Sequence, residues 1–300
     1  PGIMEHIERS GVHSGDSISV YPCQTLSVQI INQIIEYSHK LAKALKVKGL
    51  INIQYVEYGG RVYVIEVNPR SSRTVPYLSK VTGIPMVELA VKASLGYRLK
   101  DMGYGTGLYE KKKYIAVKVP VFSFEKLPLV DTSLGPEMKS TGEVLGIGKS
   151  FPEALYKGML AAGYAFPRDG NVLITVADPD KQEIVPIASK LSDLGLKIFA
   201  TSGTALTLHS NHIAANVLRR VNEDEPNIAS FIKNRKINLI INTPTKGRIQ
   251  ERHGFKIRRM AVEHSIPCIT TLDTAKAFVD IILLGMTEEE IQIYSMEVIV

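Results

Sequence analysis

The chain has 300 residues, of which 45% are hydrophobic and 22% charged, and a formal net charge of +6. These proportions fit an ordinary globular protein of roughly two domains, and no run approaches the roughly 18 apolar residues that a bilayer span requires. The positive excess is mild and scattered, and short runs such as Lys111-Lys112-Lys113 read as solvated loops. Neither nucleic acid nor a membrane is therefore expected as a partner. Pro1-Gly2-Ile3-Met4-Glu5-His6 is not followed by the apolar stretch of a secretory signal. It reads as already inside a strand, so the chain is expected to be a piece of a longer polypeptide. Cys23 and Cys268 lie far apart without a C-x-x-C pattern, which predicts a reducing, cytoplasmic setting and no disulfide framework.

In chain order, a strand is predicted over Ile3 to Ile7, then a polar loop containing His13-Ser14-Gly15-Asp16-Ser17. Val28, Ile31, Ile34, Ile35, Leu41 and Leu45 recur at helical spacing, giving a helix from Ser27 to Leu45 with Gly49 beyond its end. Leu50 to Tyr58 and Arg61 to Val67 flank Gly59-Gly60 as a hairpin. Helices follow over Thr74 to Gly83 and Met86 to Leu95, and a strand over Lys113 to Phe122. Pro128 to Gly148, rich in Gly and Pro, reads as irregular chain ending in a short strand. A helix covers Pro152 to Ala162.

After Arg168-Asp169-Gly170 the pattern changes to alternating strands and helices. Strands are expected at Asn171–Ala177, Lys197–Ala200, Ala214–Val217, Ile237–Ile241 and Pro267–Thr270. Helices are expected at Lys181–Leu194, Thr204–His209, Ile228–Asn234, Phe255–His264 and Thr271–Leu284. That alternation argues an α/β parallel sheet covered on both faces.

Two groups of residues carry chemistry. Glu66 and Asn68 are two apart on a strand and share a face, while Ile65 and Val67 should point into a core. Gln54, on the partner strand, adds a third oxygen donor, and a hard cation such as magnesium wants oxygen ligands beside phosphate. A plain two-residue Gly-Gly turn pairs residues whose numbers sum to an odd value, which sends Gln54 to the wrong face. A shared face therefore demands a three-residue loop with a Gly bulge or a bulge further along. Arg70 and Arg73 follow at once, where guanidinium groups can hold phosphate or carboxylate oxygens. In the second half, Thr201-Ser202-Gly203-Thr204 follows a strand and opens a helix, offering free N–H groups to an anion. Lys181 can add a cation, and Asn242-Thr243 ends another strand on the carboxyl edge where open α/β sheets bind ligands. Lys246-Gly247-Arg248 and Arg258-Arg259 could join that anion site but read equally as surface charge. His209, His253 and His264 lack ligand spacing.

Met4-Glu5-His6-Ile7-Glu8, Gly11-Val12-His13-Ser14-Gly15-Asp16-Ser17, Ile65-Glu66-Val67-Asn68-Pro69-Arg70 and the run Gly135 to Val144 closely resemble the large chain of carbamoyl-phosphate synthase. The resemblance covers essentially the whole chain. It implies the end of an ATP-grasp α+β domain (1–95), a connecting region that completes the synthetase unit (96–163), and a Rossmann-like, methylglyoxal-synthase-like allosteric domain (164–300). The implied activity is that of a ligase phosphorylating carbamate with ATP to give carbamoyl phosphate, for pyrimidine and arginine synthesis. On that pattern Gln54, Glu66 and Asn68 ligate Mg²⁺ or Mn²⁺. Gly11, Val12, His13, Ser14, Gln54 and Glu66 contact ATP, and Arg70 and Arg73 handle the carbamate and the phosphate in transfer. The family's glycine-rich phosphate loop and ATP-binding Lys lie upstream of Pro1, so the chain alone is expected to be inactive. The implied partners are a glutaminase small chain, the upstream synthetase domains and other copies in an oligomer.

The same resemblance assigns an effector phosphate to Lys181, Thr201, Gly203, Thr204, Arg220 and Asn242, with a uridine nucleotide as the preferred effector. Arg220 stands where Lys is common, and Pro244 where Thr can serve. Glu8 and Asp16 match acidic residues of ornithine-responsive members, but Val119 replaces a Glu, so ornithine activation is not expected. Two other readings are an isolated nucleotide-sensing module without catalysis and an active methylglyoxal synthase. Asn242-Thr243-Pro244-Thr245-Lys246 lacks the catalytic Asp that the last one needs.

Overall fold

The computed structural model describes residues 2–109, 113–245 and 253–294. The expectations placed on Pro1, Lys111, Lys112, Lys246, Gly247 and Arg248 lie outside the described residues. Helix α1 spans Val28–Ala44. Ser27 caps it, its hydroxyl accepting from the N–H of Ile30 at 3.3 Å, which satisfies one of the orphan donors of a first turn. Its apolar stripe buries Ile30 and Ile34 against Val62 of the neighbouring hairpin.

That hairpin is β3 (Asn52–Tyr58) and β4 (Arg61–Asn68). Gly59 and Gly60 turn at φ +59° and +76°, a left-handed pair that only glycine adopts without cost. Tyr58 pairs with Arg61 and Tyr55 with Val64, so the hairpin starts in the odd register. Between Gln54 and Tyr55 the register then shifts, and Gln54 pairs with Glu66. Ile65 is the extra residue of a β-bulge. It was expected to face a core, but it is 51% exposed, because an unpaired bulge residue drops out of the alternation.

A four-stranded antiparallel sheet runs in the order β1-β2-β5-β6. Its strands are β1 (Glu5–His6), β2 (Ser19–Tyr21), β5 (Ile115–Val121) and β6 (Gly142–Gly148). β1 is shorter than its apolar pattern suggested, and β2 has no counterpart in the sequence reading. Helices α2 (Thr74–Thr82) and α3 (Met86–Ser94) lie between β4 and β5 and share a buried cluster with Tyr21 and Ala116. Helix α4 (Phe151–Ala161) lies directly on β6. Glycines permit this approach, since a Cβ on Gly146 would lie 2.0 Å from the carbonyl oxygen of Ala154.

The remaining elements form the predicted parallel sheet, five-stranded and ordered β11-β10-β7-β8-β9. Its strands are β7 (Asn171–Thr175), β8 (Lys197–Ala200), β9 (Asn216–Val217), β10 (Leu239–Asn242) and β11 (Cys268–Ile269). The helices are α5 (Ile184–Asp193), α6 (Ser202–Ser210), α7 (Ile228–Lys233), α8 (His253–Glu263) and α9 (Leu272–Leu284). α5 begins three residues later than expected, leaving Lys181 in the turn before it. One core cluster runs through both sheets. It takes in Val117 and Val119 of β5, Leu155 and Met159 of α4, Val172 and Ile174 of β7, and Phe278 of α9. Cys268 is a free thiol, and among the described residues no helix is long and apolar enough to cross a membrane.

Candidate functional sites in two lobes

The bulge at Ile65 does what the shared oxygen face requires. Gln54 is paired directly with Glu66, and Asn68, two residues on, shares their side of the hairpin. Asn68 donates to Glu66 Oε1 at 2.9 Å and accepts from Arg70 at 3.3 Å. Among the described residues no three His, Cys, Asp or Glu side chains gather, so a cation here would take one carboxylate and two amide oxygens. That donor set suits a hard ion that completes its shell with phosphate and water.

Arg73 and the 11–16 loop meet through a third segment. Arg73 donates to Ser140 Oγ at 3.1 Å. The N–H groups of Lys139 and Ser140 donate to the two carboxylate oxygens of Asp16 at 2.8 and 2.9 Å. The N–H of His13 donates to Gly135 O at 2.8 Å, and its Nδ1 accepts from the N–H of Gly15. From below, Lys118 donates to the carbonyls of Ser14 and Gly15 at 3.1 and 3.3 Å. Lys118 is 1% exposed, and burial lowers its pKa against the pull of Glu143 and Glu8. The short chain from Asn68 to Arg73 joins the hairpin donors to this group.

In the parallel sheet, the chain runs from β7 outward to β8 and β9, then returns to β10 on the other side of β7. Asn242, at the end of β10, pairs with Thr175, at the end of β7. A cavity of about 1620 Å³ opens at this reversal, where open α/β sheets bind ligands. All six residues assigned to an effector phosphate line it: Lys181, Thr201, Gly203, Thr204, Arg220 and Asn242. Lys181 pairs with Asp178 at 2.7 Å. A Cβ at Gly203 would come within 3.0 Å of Lys181 Nζ, so the absence of a side chain lets that ammonium lie over the start of α6. The opposite wall comes from residues 129–131, 133–137 and 139 and from Gly11. Gly11, expected to contact ATP, thus opens on this cavity. A smaller cavity of about 280 Å³ is lined by Glu8, Asp16, Val119 and Thr274.

Residues 3–102 match the family model described as carbamoyl-phosphate synthase L chain, ATP binding domain, and residues 183–270 match the MGS-like domain. The carbamoyl phosphate synthase large chain of Clostridium botulinum (strain Langeland) is 52% identical over 99% of this chain and 28% of its own length. That of Lachnoclostridium phytofermentans is 55% identical over 92% and 26%. This chain belongs to the carbamoyl phosphate synthase large-chain family. It spans a little over a quarter of the length of those curated relatives and corresponds to the C-terminal portion, a partial ATP-grasp region followed by a Rossmann-like MGS-like domain. A solved methylglyoxal synthase from Elizabethkingia anophelis NUHP1 aligns at TM-score 0.32 and 15% identity, covering 38% of this chain and 79% of that one, too slight a likeness to carry an argument.

Set against this family assignment, two residues gain importance that the sequence reading left aside. Arg258 read equally as a member of the anion site and as surface charge; it is 4% exposed and lines the large cavity. Its Nε and Nη2 donate to both oxygens of Asp131 at 2.7 and 2.6 Å, and its Nη1 donates to Asn242 Oδ1. Burial alone would raise the Asp131 pKa, but the hydrogen bonds from Arg258 and Ser133 outweigh it and hold the carboxyl below its usual range. Arg259 donates to the carbonyls of Phe124 and Leu127 at 2.9 and 3.2 Å. Lys118 lies inside the strand expected over Lys113 to Phe122, which assigns it no role of its own. β5 is buried along both faces, so alternation did not mark it as an interior cation.

Proposed function

We propose that the first lobe carries the ATP site of a glutamine-hydrolysing carbamoyl phosphate synthase, a ligase, at the step that phosphorylates carbamate. The observation carrying this reading is the bulged pairing that sets Gln54 opposite Glu66 with Asn68 beside them. Gln54, Glu66 and Asn68 would hold Mg²⁺ or Mn²⁺, which supplies charge neutralisation between phosphate oxygens. Gly11, Val12, His13 and Ser14 border the nucleotide. Arg70 and Arg73 bind the carbamate and offset the charge that develops on the phosphoryl group. Protein of this kind works by positioning and electrostatics, with little covalent chemistry of its own. In the full-length large chain, Glu66→Ala should lower carbamate-dependent ADP release by at least about 10²-fold. A full rate in that variant would refute the metal assignment.

The second lobe, proposed to span 164–300 after ATP-grasp (1–95) and connecting (96–163) regions, is read as a regulatory domain for a uridine nucleotide. Its support is the convergence of Lys181, Thr201, Gly203, Thr204, Arg220 and Asn242 on one cavity. Ornithine activation is not part of the reading. Val119 brings no charge, Glu8 is committed to Ile18 and Thr274, and Asp16 is committed to Lys139 and Ser140. The proposed setting is a cytoplasmic oligomer with a glutaminase small chain and upstream synthetase domains, serving pyrimidine and arginine synthesis.

A further inference from the structure

The large cavity has walls from both lobes, and one side chain joins them. Arg258 stands on α8 with its guanidinium between Asn242, on the floor of the cavity, and Asp131, on the opposite wall. The site is built for this contact. A Cβ at Gly254, one turn earlier on the helix, would lie 3.1 Å from Arg258 Nη1 and 3.5 Å from Asn242 Oδ1, so a larger residue would crowd the bridge.

From Asp131 the chain runs straight to the phosphoryl-transfer side. Lys139 Nζ donates to the carbonyls of Asp131 and Ser133, bracing the segment on itself. The far end then makes the contacts already described: Gly135 to His13, Lys139 and Ser140 to Asp16, and Ser140 to Arg73. One stretch of about ten residues is thus anchored at the cavity by Asp131 and at the ATP loop by Gly135 and Ser140.

We propose that residues 131–140 are the strap through which this cavity controls the ATP site, and that Arg258–Asp131 is the anchor an anionic effector releases. This rests on the reading of the cavity as a nucleotide-phosphate site. A phosphate seeks the same bidentate guanidinium geometry that the Asp131 carboxylate now occupies. Ligand and carboxylate compete for one group, which supplies the differential contact that any ligand-driven shift requires. With Asp131 released, the strap holds His13 and Arg73 less firmly, and the ATP site loosens.

The test uses the full-length enzyme with its small chain and uridine monophosphate as the probe. Coupling is reciprocal, so Asp131→Asn should act in both directions. Without nucleotide its KM for ATP should already be raised about fivefold, added nucleotide should change it less than about twofold, and nucleotide should bind about fivefold more tightly than to the parent. Tighter binding is a readout that mere structural damage would not produce. Ser140→Ala leaves the cavity intact and removes the strap's contact with Arg73, while the backbone anchors to Asp16 and His13 stay. It should bind nucleotide as the parent does while losing part of the inhibition. Parent-like inhibition and parent-like nucleotide affinity in Asp131→Asn would overturn the strap alone. Failure of the unmodified enzyme to bind uridine monophosphate at millimolar concentration would overturn the effector reading, and the strap with it.

Discussion

Glu8 lies fully buried between the lobes, accepting from the N–H of Ile18 at 2.8 Å and from Thr274 Oγ1 of α9 at 2.9 Å. Burial pushes its pKa up to about 7, against the opposing pull of those hydrogen bonds and of Lys118. A carboxyl whose folded pKa exceeds its unfolded value of 4.5 retains its proton on folding. The stability this contributes is complete below pH 4.5 and is lost as pH rises through about 7. Glu8→Gln reproduces the protonated hydrogen-bonding pattern without an ionisable group. Its melting temperature should match the parent at pH 4.5 and exceed it by about 5 °C at pH 8, measured by calorimetry. An equal gap at both pH values would mean that Glu8 is ionised in the folded protein. His6 shifts the other way, burial and Lys118 lowering its pKa to about 4. It therefore withdraws stability as pH falls from 6.5 through 4.

Among the elements, the tightest joint is α4 on β6. Gly146 meets the Ala154 carbonyl and the Gly158 N–H, both backbone atoms that cannot rotate aside, and Gly158 in turn faces Val119. Gly146→Ala should therefore cost about 3 kcal/mol, at the upper end of overpacking penalties, readable as a lowered urea midpoint. A loss below about 0.5 kcal/mol would show that the joint can open. Much at this scale was legible in advance. α1, β8 and the shift to alternating strands and helices stand where periodicity placed them. The hairpin bulge followed from requiring Gln54, Glu66 and Asn68 on one face. β2 escaped because three residues are too few to display a period. The Arg258–Asp131 pair, separated by 127 positions, escaped because ionic partners leave no spacing signal in a chain.

For the molecule as a whole, the shared core decides how it comes apart. Val119, Met159, Ile174 and Phe278 belong to one cluster, and Arg9 reaches across to Asp273 and Glu183. These surface pairs add little, since exposed ion pairs contribute about 0–1 kcal/mol each; the cluster carries the joint. Residues 1–300 should accordingly unfold in one calorimetric transition with equal calorimetric and van't Hoff enthalpies. Two resolved transitions would show that the lobes fold independently. Val87, Val91 and Leu95 on one side of α3, and Tyr63, Val64 and Ile65 on β4, remain 42–74% exposed. Apolar faces of this kind usually meet a partner surface. The 300-residue chain should therefore self-associate in sedimentation at micromolar concentration, and a strictly monomeric profile would count against such an interface.

The reversal of strand order beside β7 has an evolutionary corollary. The interior of that sheet is closed, with Leu173, Ile174, Ile240 and Ile241 wholly sealed from solvent, whereas Arg220 and Pro244 stand at the open mouth. Exchanges at the mouth cost the framework little, so the lining of the cavity can drift between lineages while the scaffold beneath is kept.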